Sequence, residues 1–110
     1  MKIDYVEIPG PDLEAMKAFY GAAFGWTFQD YGGHYVDFLG AGLSGGFNPN
    51  GTPARVGSLV ILYAADLDAA EQAVTGAGGE IVARHDFPGG RRFHFVDPCG
   101  NELAVWTKAG

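Results

Sequence analysis

The sequence predicts an α+β fold made of two βαβββ modules in tandem, on three observations. Asp12 and Asp66 stand 54 residues apart (66 − 12), as do Gly25 and Gly79 (79 − 25), so a helix cap and a helix stop recur in one register. A strand-like run precedes each Asp, and a helix-like apolar stripe follows it. Beyond each Gly come three short runs of alternating character, punctuated by Gly, Pro and Asn. Repetition at such a period is the mark of one supersecondary unit copied, with the copies burying their apolar faces together.

The run Ile3 to Ile8 alternates, which places Val6 and Ile8 toward a core and Tyr5 and Glu7 on the opposite face of a strand. Asp12 is suited to be an N-cap, its carboxylate accepting from first-turn amides at the positive end of the helix dipole. Leu13, Met16, Tyr20, Ala23 and Phe24 then form one helical stripe. Strands are expected at Trp26–Gln29, Tyr35–Phe38 and Gly42–Phe47. Asn48-Pro49-Asn50-Gly51-Thr52-Pro53 is polar and turn-forming, so a linker at about 48–55 separates module one, about 1–50, from module two, about 56–110.

Module two repeats the order. Leu59–Tyr63 is a strand, Asp66 a cap, and Leu67, Ala70, Val74 and Ala77 a leaner stripe suited to close packing on a sheet. Glu80–Arg84, Arg92–Val96 and Glu102–Trp106 supply the last three strands.

Composition bounds the functions. The 110 residues are 47% hydrophobic and 18% charged, a single globular domain large enough for a core without crosslinks. The 18 glycines are dispersed among aromatic residues, which argues for many tight turns and against a disordered linker. A net charge of -6 repels phosphate backbones and anionic lipid, so neither nucleic acid nor a membrane is expected as a partner. Cys99 is the single cysteine, which forbids an intrachain disulfide and suits a reducing, cytoplasmic setting. There is no phosphate loop with Lys-Ser/Thr, no His-Glu-x-x-His, no Cys-x-x-Cys and no Gly-x-Ser-x-Gly.

The tandem order, the helix Asp12 to Tyr20, the triplet Phe24-Gly25-Trp26 and the run Phe95-Val96-Asp97-Pro98-Cys99-Gly100-Asn101-Glu102-Leu103 together resemble the vicinal oxygen chelate superfamily. That group holds glyoxalase I, the bleomycin and fosfomycin resistance proteins and the extradiol dioxygenases. The resemblance covers nearly the whole chain. It implies a curled, cup-like mixed sheet with helices outside, and a homodimer. It does not imply one activity, because this scaffold carries lyases, dioxygenases, epimerases, transferases and proteins that only sequester a drug.

Metal-dependent members place a His or Glu on the first strand and a Glu near the last strand of each module. Counted from the Asp12 and Asp66 caps and from Asp97, the matching points here are Tyr5, Leu59, Ala104 and a residue near Ser44. These four cannot hold a divalent cation, since a phenol is a poor neutral ligand and the others offer no suitable donor. The expectation is therefore no metal and no cofactor.

Strand alternation gives the cup a lining of Tyr5, Glu7, Tyr35, Asp37, Ile61, Tyr63, Arg92, His94, Glu102, Ala104 and Trp106. Of these, Tyr5, Glu7, Tyr35, Asp37, Tyr63, Arg92, His94 and Trp106 are the expected ligand-binding residues. An aromatic lining with a few charges suits a small, flat or partly polar molecule, aromatic or amine-bearing. Glu7 reads equally as a ligand contact, an edge-strand carboxylate or an ion-pair partner of Arg92. His94 reads as a structural or a catalytic imidazole, and Trp106 and Tyr5 as ligand-stacking or dimer-seam residues. His85-Asp86 and His34 read as surface-loop and turn residues, and Cys99 as an ordinary thiol. Two functions stay open: metal-independent binding of a small molecule, or a lyase or isomerase on a small carbonyl substrate with Glu7 or His94 as base.

Overall fold

Both expected caps form. In the computed structural model, which describes residues 1–110, Asp12 accepts from the Ala15 amide and Asp66 from the Ala69 amide, each at 3.0 Å. Between and around them the chain runs β1 (Val6–Pro9), α1 (Leu13–Phe24), β2 (Thr27–Asp30), β3 (Val36–Leu39), β4 (Gly45–Asn48), β5 (Ile61–Tyr63), α2 (Leu67–Gly76), β6 (Glu80–Phe87), β7 (Gly90–Val96) and β8 (Glu102–Lys108). The order is βαβββ twice.

The strands make two four-stranded mixed sheets, ordered β1-β4-β3-β2 and β5-β8-β7-β6. In each, the strand before the helix pairs parallel with the last strand of its module, and all other pairings are antiparallel. The sheets are not joined to one another. β1 and β5 are edge strands, so the curled, cup-like arrangement is built as two unclosed halves, one from each module.

Helices α1 and α2 pack side by side on the convex faces and share one core with both sheets. Phe19 of α1 reaches Phe95 of β7 at 5.8 Å between ring centroids, and Tyr20 stacks on Trp26 at 4.9 Å. Val36, Phe38, Phe93, Phe95, Leu103 and Val105 are all buried in this core, the facing that alternation assigns them.

The second helix stop differs from the repeat. Gly25 adopts the left-handed conformation that ends α1, at φ 73°, but after α2 it is Gly78, at φ 98°, that does so. Gly79 is required for another reason: a Cβ there would press on Val74 and Phe19 at 2.7 and 2.8 Å. Asn48 lies in β4 rather than in the linker, and β6 extends to Phe87, so His85 and Asp86 are strand residues, not surface loop. His34 does close a turn, its amide donating to the Tyr31 carbonyl at 3.2 Å.

The Asp97-Pro98-Cys99-Gly100-Asn101 turn is a staple between the modules. Asp97 Oδ1 accepts from the amides of Cys99, Gly100 and Asn101, and Oδ2 from Tyr20 of α1 and the Asn101 side chain. Asn101 also donates to the Pro9 carbonyl at 2.6 Å and accepts from the Ala54 amide. The motif thus ties β1, α1 and the linker to module two. Burial pushes the Cys99 thiol up, away from the reactive thiolate.

Candidate functional site

On the concave face of the first sheet, strand register sets Glu7, Gly46, Asp37 and Gln29 in one row. Tyr5, just ahead of β1, and Tyr35, just ahead of β3, lean over this row. Their hydroxyls meet at 2.7 Å; Tyr5 donates to Asp37 at 2.7 Å and Tyr35 to Glu7 at 3.1 Å. Tyr31 donates to the other Asp37 oxygen at 2.9 Å, and Asn48 to the other Glu7 oxygen at 2.9 Å. Two phenolic protons serve the three contacts that run from Asp37 through Tyr5 and Tyr35 to Glu7, so this face is rich in acceptors and short of donors. Burial, then the bonds to Tyr35 and Asp37, push the Tyr5 phenol far up; burial also raises Tyr35, and its bond to Asp37 raises Tyr31. All three stay neutral phenols.

On the concave face of the second sheet, one row holds Tyr63, Trp106, Arg92 and His85, and the next holds Ile61, Ala104, His94 and Ala83. Tyr63 and Phe87 flank Trp106 at 5.1 and 6.4 Å between ring centroids. His94 is buried at 7% exposure, its Nδ1 2.9 Å from Glu102, whose second oxygen accepts from Arg55 Nε at 2.9 Å. Those two bonds, His94 first, hold the Glu102 carboxyl below its ordinary range. Glu102 is therefore a carboxylate, and His94 Nδ1 carries the donated proton. Nε2 of His94 and Nε of Arg92 are buried with no partner. The ring of His85 stands nearly perpendicular to that of His94 at 5.3 Å.

The sequence-derived residues thus form two groups. Tyr5, Glu7, Tyr35 and Asp37 are gathered on the first sheet, and Tyr63, Arg92, His94 and Trp106 on the second; no side-chain hydrogen bond joins one group to the other. Glu7 is taken up by Tyr35 and Asn48, so the ion pair with Arg92 does not form within one chain. The carboxylate beside His94 is Glu102. Tyr31 and Asn48 were missed because one lies in a Gly-rich turn and the other at a strand end, where alternation gives no facing.

A hollow of about 440 Å³ takes in Ile61 and Tyr63 of the second concave face but none of Tyr5, Glu7, Tyr35, Asp37, Arg92, His94 or Trp106. It opens between the modules on their core side, lined by Val6, Ile8, Trp26, Phe38, Leu62 and Val105 among others.

Ala104 pairs with Ile61 as Gly46 pairs with Glu7, so the counterpart of Ala104 in module one is Gly46, two residues beyond Ser44. Any Cβ on Gly46 would overlap the Tyr5 hydroxyl and the Tyr35 ring. The space a last-strand carboxylate would need is filled by two phenols. No group of three or more His, Cys, Asp or Glu side chains converges anywhere in the chain. Tyr5, Leu59, Gly46 and Ala104 bring no carboxylate or imidazole to these four points.

The model of the Glyoxalase/Bleomycin resistance protein/Dioxygenase superfamily matches residues 2–105. The chain belongs to that superfamily. Among solved structures of the glyoxalase fold it is similar to lactoylglutathione lyase from Agrobacterium tumefaciens, with 22% identity, TM-score 0.75 and 96% of this chain and 92% of that chain covered. TnmS3, an antibiotic binding protein from Streptomyces sp. CB03234, is 24% identical at TM-score 0.75, covering 99% and 97% of the two chains. TioX from Micromonospora sp. ML1 is 20% identical at TM-score 0.76, covering 99% and 100%. No curated protein sequence matches. At these identities the glyoxalase-superfamily likeness establishes the fold, while the chemistry rests on the side chains described above.

Proposed function

We propose that the protein is a metal-independent small-molecule-binding member of the glyoxalase/bleomycin resistance superfamily, taking an aromatic or amine-bearing ligand on its concave faces. The observation that carries this reading is the pair Tyr5 and Tyr35 over Gly46, which replaces a metal-ligand position with an aromatic, acceptor-rich surface. Glu7 and Asp37 add negative charge, and a cationic amine would supply the missing donors and pack against phenol rings. The antibiotic binding TnmS3 among the structural neighbours supports binding as a use of this scaffold.

The protein acts as a cytoplasmic homodimer on this reading. The two faces lie apart in one chain, and Leu39, Leu43, Ile61 and Tyr63 are large apolar side chains left exposed beside them, as an interface would require. Thermal-shift screening against bleomycin-type, amine and aromatic compounds tests the proposal. A ligand at 100 times its Kd stabilises by about 2.7 kcal/mol, an easily read shift; no shift at saturating concentrations counts against binding.

A second reading is favoured by one observation, the buried His94–Glu102 pair, which has the form of an oriented general base. It makes the protein a lyase or isomerase on a small carbonyl substrate. Glu7→Gln and His94→Ala separate the two: an enzyme loses turnover with affinity kept, whereas a binder shows no turnover to lose.

A further inference from the structure

The chain has two buried side-chain polar atoms without a hydrogen-bond partner, Arg92 Nε and His94 Nε2. Both belong to β7, two residues apart and on the same concave face, with Trp106 the cross-strand neighbour of Arg92. Leaving such a group unpaired costs about 1–3 kcal/mol, so two on one patch of sheet call for an explanation. We infer that Arg92 and His94 recognise an aryl carbonyl compound that carries a hydroxyl across the ring from its carbonyl. This rests on the small-molecule reading above and adds the ligand's chemistry.

Each half follows from donor and acceptor counts. A guanidinium Nε–H only donates, so Arg92 asks for an acceptor such as a carbonyl oxygen. The bond from His94 Nδ1 to Glu102 selects the tautomer in which Nε2 is an acceptor, asking for an O–H. Residues two apart on one strand emerge about 6.6 Å from each other. A benzene ring substituted at opposite positions bridges a span of that order. Trp106 and Tyr63 offer aromatic surface beside Arg92, and Ala104, the buried neighbour of His94 in register, adds no polar group of its own. An amine satisfies His94 but is repelled by Arg92, so this face and the tyrosine face select opposite ends of a ligand.

The test uses the unmodified chain near pH 7 and four probes, with Kd read by calorimetry: 4-hydroxybenzophenone, 4-methoxybenzophenone, 4-benzylphenol and 4-phenylbenzylamine. The first should bind about tenfold or more tighter than the second, which lacks the donor, and than the third, which lacks the carbonyl. His94→Phe should erase the first difference and Arg92→Met the second. The comparison of probes on the unmodified chain decides the matter even where a variant fails to fold. Equal affinity for the first three, or binding of the amine alone, overturns the inference and leaves small-molecule binding standing. No binding by any probe also overturns it, and the separate thermal-shift screen then decides whether the wider reading falls too.

Discussion

The hydroxyls of Tyr5 and Tyr35 meet at 2.7 Å above Gly46, on the row that also carries Glu7 and Asp37. A glycine is needed there because of the neighbours, since its φ is not among the positive values that glycine alone favours. Gly46→Ala should therefore destabilise by about 1–3 kcal/mol through overpacking. In a Tyr35→Ala background the same change should cost much less, a coupling that a double-mutant cycle in urea measures.

The Asp97 carboxylate is buried and accepts from five donors in two modules. Asp97→Ala strands them all. We expect a loss of about 3–5 kcal/mol, the range for breaking a buried charged network, read as a fall in the urea midpoint. Asn101→Ala should cost less, since it leaves the three turn amides bonded to Asp97.

Four phenols have raised values in the folded state, Tyr31 chiefly through its bond to Asp37 and three chiefly by burial: Tyr5, Tyr20 and Tyr35. A raised acid contributes stability that is complete below its unfolded value, about 10 for tyrosine, and is lost as pH rises through the folded value. Stability should therefore fall above about pH 10. Phenolate absorbance at 295 nm should show these three ionising together with unfolding. Tyr5→Phe and Tyr35→Phe should each reduce the slope.

Glu102 behaves oppositely. Its lowered value, from His94 first and Arg55 second, gives stability that is present above the unfolded carboxyl value and lost as pH falls through the folded one. His94→Ala should shrink that acid-side loss below about pH 4, the ordinary glutamate range, in denaturation midpoints followed against pH.

The architecture was legible because it is written in local chemistry. Asp12 and Asp66 cap, Gly25 stops, and alternation assigns Phe93, Phe95, Leu103 and Val105 to the core. The facing of Tyr5, Glu7, His94 and Trp106 followed from the same period of two. What alternation cannot report is the partner across the sheet. Glu7 bonds to Asn48, 41 residues away, rather than to Arg92, and His94 pairs with Glu102 through strand register. The counterpart of Ala104, expected near Ser44, is Gly46, because counting along Gly-rich sequence does not reveal which residue stands beside Glu7. Gly79 shows the same limit. The repeat marks the position, but a close approach by Phe19, 60 residues earlier in the chain (79 − 19), is what demands glycine there.

On the proposed function the ligand binds without a metal. The most direct measurement is elemental analysis of untagged protein after dialysis against zinc, nickel, manganese and iron(II). Metal far below one ion per chain is expected, with ligand-induced thermal shifts unchanged by chelator. One tightly held ion per chain, together with shifts that chelator abolishes, would contradict it and return the chelate chemistry of the superfamily to this protein.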